Sequence, residues 1–163
     1  MESATGETER QLVVFSLGAE AYGVPIGAVR EIIRMQEITR VPRSPDFVEG
    51  VVNLRGKVIP VVDLRKRLGI VGAGRSEENR IVVVDGGAED IGMIVDTVTE
   101  VLRVPAVSVE PLSAVVSSSD TDYALGIAKL ETRLIILLDL RRALSEVEKS
   151  SCVGLAGAKE TTR

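Results

Sequence analysis

The segment Gly50-Val51-Val52-Asn53-Leu54-Arg55-Gly56-Lys57 is where this chain comes nearest to a phosphate-cradling loop. Such a loop aims backbone N–H groups and a Lys at phosphate oxygens and a Ser or Thr hydroxyl at magnesium. Here five residues separate the glycines where four are needed, and Val58 stands at the hydroxyl position. Gly72-Ala73-Gly74 lacks the third glycine of a dinucleotide fingerprint, with Glu77 in its place. Asp120-Thr121-Asp122 lacks the further ligands and the Gly of a calcium loop. The acids Asp85, Glu89, Asp90, Asp96 and Glu100 offer carboxylates for acid/base work, but the first three flank Gly86-Gly87 and read as a solvated hairpin turn.

Composition closes most other routes to catalysis. The 163 residues contain no His, no Trp and one Cys, Cys152, which lies in a tail of small residues and reads as an incidental thiol. That excludes His-based proton transfer, a disulfide framework and a Cys/His zinc site. No metal or cofactor is expected; a carboxylate- or Lys-based enzyme survives this filter, as does a binding module. The first residues lack the basic and apolar regions of a secretion signal, and no apolar run nears the ~18 residues of a membrane span. The expectation is a soluble cytoplasmic protein without membrane insertion.

The net charge of −4 is unevenly spread. From Arg30 to Arg67 there are nine Lys/Arg against five acids, a balance of +4; from Glu77 to Asp122 there are two against ten, a balance of −8. Such a molecule has a basic and an acidic flank able to meet complementary partners. Only Phe47 lies in the basic stretch to stack a base, so nucleic acid is not an expected partner.

The elements that position these residues come from an internal repeat. Val (25) and Ile (12) dominate the apolar residues, against four aromatics, which predicts a β-rich core. Shifted by 69, Leu12-Val13-Val14-Phe15 falls on Ile81-Val82-Val83-Val84, Gly23 on Gly92, Val29 on Val98, Glu31 on Glu100 and Ile32 on Val101. Shifted by 76, Gly50 falls on Gly126, Leu54 on Leu130, Lys57 on Arg133, Ile59 on Ile135 and Asp63-Leu64-Arg65 on Asp139-Leu140-Arg141. The seven-residue difference is an insertion before Gly126, placed at the Ser117 to Asp122 loop.

Short apolar runs bounded by Gly, Pro and Asp predict strands over 11–17, 21–24, 37–41, 50–54, 57–62, 80–85, 90–96, 99–104, 124–130 and 133–138. A helix is expected after Pro25, where Ile26, Val29, Ile32 and Ile33 recur at helical spacing. Asp63 and Asp139 read as N-caps of helices over 65–68 and 141–149, with Gly69 ending the first. Two copies of about five strands predict two small barrels sharing a core. Their bounds are about 11–71 and 80–149, contiguous or interlaced, with a linker over 72–79 and mobile ends at 1–10 and 150–163.

Several motifs in order carry a family resemblance. They are Phe15-x-Leu17-Gly18-x-Glu20-x-Tyr22-Gly23, Val29-x-Glu31-Ile32, Thr39-Arg40-Val41-Pro42-x-x-Pro45, Gly50-Val51-Val52-Asn53-Leu54-Arg55-Gly56 and Ile59-Pro60-Val61-Val62-Asp63-Leu64-Arg65. Together they resemble the CheW family of bacterial chemotaxis coupling proteins, from about Gln11 to Lys149. The resemblance implies an all-β fold with a few short helices: two pseudo-symmetric SH3-like five-stranded barrels over a shared hydrophobic core. It implies a non-catalytic adaptor between the cytoplasmic tip of methyl-accepting chemotaxis receptors and the regulatory domain of the histidine kinase CheA, recruited from the cytoplasm to receptor arrays.

Carried over by position, the receptor-facing and signalling residues are Val29, Glu31, Gly50 and Arg55, with Ile32, Ile33, Asn53 and Gly56 beside them. Arg55 and Gly56 differ from the second copy, whereas Gly50 is echoed by Gly126 and so admits a fold role equally. Val29 and Ile32, echoed by Val98 and Val101, are expected to face the core, while Ile33 and Met35 exceed what one short helix buries and suggest an exposed apolar groove. Gly92, Met93 and Val95 are the kinase-facing candidates. Rival readings are an adaptor of a chemosensory-like pathway unrelated to motility, a carboxylate enzyme without a convergent set of acids, and a nucleic-acid-binding double barrel.

Overall fold

A computed structural model describes residues 9–70, 76–87, 89–111 and 123–144. The expected loop at Ser117 to Asp122, the linker over 72–75, Cys152, the helix beyond 144 and both ends, 1–8 and 150–163, lie outside these residues. Eleven strands dominate: β1 Glu9–Leu17, β2 Glu20–Pro25, β3 Val29–Arg34, β4 Val48–Leu54, β5 Lys57–Asp63, β6 Arg80–Asp85, β7 Asp90–Val95, β8 Thr97–Pro105, β9 Val109–Pro111, β10 Ala124–Lys129 and β11 Leu134–Leu138. Glu9 and Arg10, expected in a mobile end, pair instead with Pro105 and Val104.

The strands form two sheets, ordered β8-β1-β2-β11-β10-β9 and β3-β6-β7-β5-β4. The repeat maps β1 to β5 onto β6, β7, β8, β10 and β11, so each sheet takes its central hairpin from one copy and its flanking strands from the other. The barrels therefore do not divide the chain into 11–71 and 80–149. One is contiguous, 29–95; the other joins 9–25 to 97–138. The exchange is symmetric in detail. Parallel pairing sets Val61 against Gly92 in one sheet and Leu137 against Gly23 in the other. Bulges fall at Val29/Glu31 and at the matching Glu100/Val98, and again at Val48/Gly50 and Ala124/Gly126.

Alternation along these strands feeds three apolar clusters. Leu12, Val14, Val104, Ala128, Ile135 and Leu137 fill one barrel; Val52, Ile59, Val61, Ile81, Val83 and Ile94 fill the other. Between them lies the largest cluster, with Phe15, Tyr22, Val62, Leu64, Val84, Met93 and Leu144. At its edge the guanidinium of Arg67 lies between two rings, 4.7 Å from the centroid of Phe47 and 4.5 Å from that of Tyr123. Phe47 and Tyr123 are repeat equivalents, and Arg67 Nε donates to the carbonyl of its own equivalent, Ala143, at 2.7 Å. Arg67 thus sits where the two copies meet.

Asp63 caps helix α1, Leu64–Leu68, accepting from the N–H groups of Arg65 and Lys66, and Gly69 closes it in a left-handed conformation with φ 75°. A second helical turn covers 140–144, with Asp139 accepting from Arg142 N–H. Two expectations are corrected. Pro25 opens only a 3-10 turn, Ile26–Ala28, before β3 begins, so no helix carries Val29 to Ile33. The strand over 37–41 shrinks to one bridge between Thr39 and Val51. Its counterpart in the other copy is β9, which gives that sheet a sixth strand.

Candidate functional site

The β4–β5 hairpin closes on two residues, with Leu54 paired to Lys57 and positive φ at both Arg55 (54°) and Gly56 (85°). Two such residues define the tight turn whose twist suits a hairpin. Gly56 occupies this conformation without a Cβ penalty. Asn53 fixes the turn, its Oδ1 accepting from Gly56 N–H at 2.8 Å. The exposed Arg55 guanidinium then reaches the edge strand β3, where it pairs with Glu31.

Glu31, Asn53, Arg55 and Gly56 are thus assembled at one end of the contiguous barrel. The other expected residues separate from them. Val29 packs toward the inter-barrel cluster, and Ile33 packs into the barrel core with Met35 and Ile38. Ile32, expected in the core, is instead exposed (40%), because the alternation of strand β3 turns Val29, Glu31 and Ile33 to one face and Arg30, Ile32 and Arg34 to the other.

Gly50 has a role set by packing. Its φ is 146°, and a Cβ there would stand 2.1 Å from the Thr39 carbonyl oxygen. A Cβ on its equivalent, Gly126, would stand 2.4 Å from the Glu110 carbonyl oxygen. Both glycines admit the same crossing segment against a bulged strand. Gly92, Met93 and Val95, the kinase-facing candidates, are corrected by burial. They lie on β7 at the centre of its sheet, Met93 is 0% and Val95 1% exposed, and a Cβ on Gly92 would meet Ile81 at 2.7 Å. The folded chain offers a partner nothing at these side chains.

Sequence reasoning missed a second arrangement like the first. On the discontinuous barrel Glu100, the equivalent of Glu31, pairs with Arg133 from the β10–β11 turn. The exposed Ile32 and Val58 (49%) have exposed equivalents in Val101 (51%) and Leu134 (55%). The signal was present in the repeat, but apolar positions kept in both copies were read as core when they are a surface kept twice. An apolar cleft of about 320 Å³ was also missed; Leu12, Pro25, Ile26, Leu125 and Leu137 line it, with Arg10 at its rim.

Charge is partly neutralised within the fold. Arg30 pairs with Asp85 and Asp90, at 3.4 and 3.3 Å, and Lys57 approaches Asp90 at 3.6 Å, so basic strands cover the acidic β6–β7 turn. Asp96 bridges the barrels, accepting from Arg65 at 2.6 Å and from Gly18 N–H at 2.7 Å. Among the described residues no group of His, Cys, Asp and Glu could hold a metal ion, and no helix is long and apolar enough to cross a membrane.

A paired-barrel chain whose one strained hairpin presents Arg55 over Glu31 has the form of a contact module, and comparison places it among known proteins. Residues 11–148 match the CheW-like domain family, and the chain belongs to that family. It is 36% identical over 144 residues to the chemotaxis protein CheW of Klebsiella aerogenes, spanning 88% of this chain and 87% of that protein. With the chemotaxis protein CheW of Bacillus subtilis it shares 34% over 153 residues, spanning 93% and 96%. The crystal structure of the scaffolding protein TtCheW from Thermoanaerobacter tengcongensis matches with a TM-score of 0.77 at 42% identity, covering 83% of this chain and 92% of that one.

Proposed function

We propose that this chain is a non-catalytic chemotaxis adaptor that couples the cytoplasmic tip of methyl-accepting receptors to the regulatory domain of the histidine kinase CheA, acting in the cytoplasm at receptor arrays. The observation that carries the reading is the Arg55 turn: an arginine in a left-handed conformation, exposed and paired to Glu31 on β3, the strand that also exposes Ile32. A guanidinium so placed makes charge-assisted contacts to partner carboxylates, and the apolar groups beside it supply the area that binding needs. Family membership and the scaffolding protein of the same fold support the assignment. With Gly92, Met93 and Val95 buried, the kinase-facing surface falls to exposed apolar residues such as Val101 and Leu134.

The test is a pull-down with a receptor cytoplasmic fragment and, separately, with the kinase regulatory domain; failure to bind either refutes the adaptor. Arg55→Gly, which keeps the turn, should weaken receptor binding about tenfold, the loss of one charge-assisted contact. Its effect on stability should stay within about 1 kcal/mol, because an exposed ion pair contributes that little. Loss of folding instead would make Arg55 structural.

A further inference from the structure

Two non-glycine residues among those described have positive φ, and both are arginines: Arg55 (54°) and Arg43 (67°). Arg43 follows Pro42 in the turn Val41-Pro42-Arg43-Ser44, where Ser44 Oγ donates to the Val41 carbonyl at 2.7 Å. Proline then a residue at positive φ is the pattern of a type II turn, whose third position favours Gly or Asn. An arginine there opposes folding, since its Cβ disfavours the left-handed region. Residues held against such strain concentrate at functional sites. Arg55 has Glu31 for a partner; Arg43 has none among the described residues, and neither has the nearby Arg40.

Both line a cleft of about 770 Å³ between the 40–48 loop and α1. The other cations of its lining are already engaged, Arg65 by Asp96 and Lys66 by Glu49, and Asp46 is the one acid of the lining among the described residues. Pro42, Pro45, Val48 and Ile70 give the cleft apolar walls. The loop is pinned at its ends by the paired Thr39 and Val51, both hydrogen bonds 2.8 Å, and by Val48 N–H to the Pro45 carbonyl at 3.0 Å.

We propose that this cleft is a docking site for an acidic peptide segment of a partner protein, with Arg40 and Arg43 receiving its carboxylates and the proline and aliphatic walls receiving the side chains between them. Two unpaired guanidinium forks suit carboxylates, and the volume and apolar lining suit a peptide rather than an isolated anion. The site is separate from the Arg55 turn and stands whether or not the adaptor reading holds.

The test uses the full chain and a fluorescein-labelled peptide alternating Glu with Leu, with the Gln/Leu peptide as control. The Glu peptide is expected to bind and the Gln peptide to bind at least tenfold more weakly. Arg43→Gly should raise the thermal midpoint, because it relieves the turn, while weakening the Glu peptide about tenfold or more. Arg103→Ala, which removes an equal charge from an exposed strand position, should leave peptide binding unchanged. Equal binding of both peptides, unchanged binding by Arg43→Gly, or an equal loss in Arg103→Ala would overturn the proposal. So would displacement by inorganic phosphate at the concentration of the peptide, which would mark the cleft as a small-anion site.

Discussion

Replacing Gly50 by Ala separates a fold role from a contact role at the position where the sequence admits both. The added Cβ would meet backbone, 2.1 Å from the Thr39 oxygen and 2.7 Å from its carbonyl carbon, besides Ile38 Cγ2 at 2.9 Å. Backbone cannot swing aside as a side chain does, so the 39–51 bridge must open. That forfeits two hydrogen bonds, each contributing about 1 kcal/mol, and the φ of 146° adds roughly 1–3 kcal/mol of strain for a residue with a Cβ. The expected loss is about 3–5 kcal/mol, a large share of a small domain's stability. Gly126→Ala meets the Glu110 oxygen at 2.4 Å without a positive-φ penalty, so it should cost less, about 1–3 kcal/mol by overpacking. Urea denaturation of both variants beside the unmodified chain measures the order, and binding to the receptor fragment is measured on the fraction still folded. A Gly50→Ala protein with an unchanged urea midpoint but no receptor binding would refute the packing argument and make Gly50 a contact residue.

Arg67→Ala should destabilise by about 2–4 kcal/mol, since it removes two cation–π contacts and a charged hydrogen bond across the seam between copies. Arg67→Lys should recover little of this, because an ammonium cannot stack flat between Phe47 and Tyr123; full recovery in thermal melts would show that charge alone matters there. Burial first, and Glu20 second, raise the Tyr22 phenol above its ordinary value of 10.0. A raised folded-state value means that the stability from this group is intact below pH 10 and lost as pH climbs through the folded value. Alkaline melts should therefore show a fall that Tyr22→Phe abolishes, and an identical fall in that variant would assign it elsewhere.

Much of this fold was legible because its signals are local. Asp63 and Gly69 bound α1 as caps do, and Gly56 sits in the turn that needs it. The helix expected over Ile26 to Ile33 failed for a definable reason. Val29 and Ile33, four apart, face inward on a strand as they would on a helix, and the alternation of β3 is hidden in the sequence because a charged residue, Glu31, holds an inward position and an apolar one, Ile32, an outward position. A pattern of residues at i and i+4 cannot tell a helix from a strand, since both put them on one face.

The strand exchange was illegible for a different reason. A repeat gives equivalence between positions, and pairing within a copy or between copies satisfies that equivalence equally. What decides is geometry that only the assembled chain supplies. β3 leaves the first hairpin through Pro25 and the 3-10 turn and pairs with β6, while β8 returns to pair with β1. The consequence reaches the site. Glu31 and Arg55 belong to one copy, but β3 and β5 stand on opposite sides of a hairpin from the other, β6–β7, whose acids also engage Arg30 and Lys57. The Arg55 surface is therefore built by both copies, and residues 11–71 alone would lack the strands that hold it open. The same reasoning explains why the second Glu–Arg pair, Glu100 with Arg133, escaped a position-by-position reading: its arginine is the equivalent of Lys57, not of Arg55, so the bridge is conserved between the barrels as a contact while its residues are not conserved as a motif.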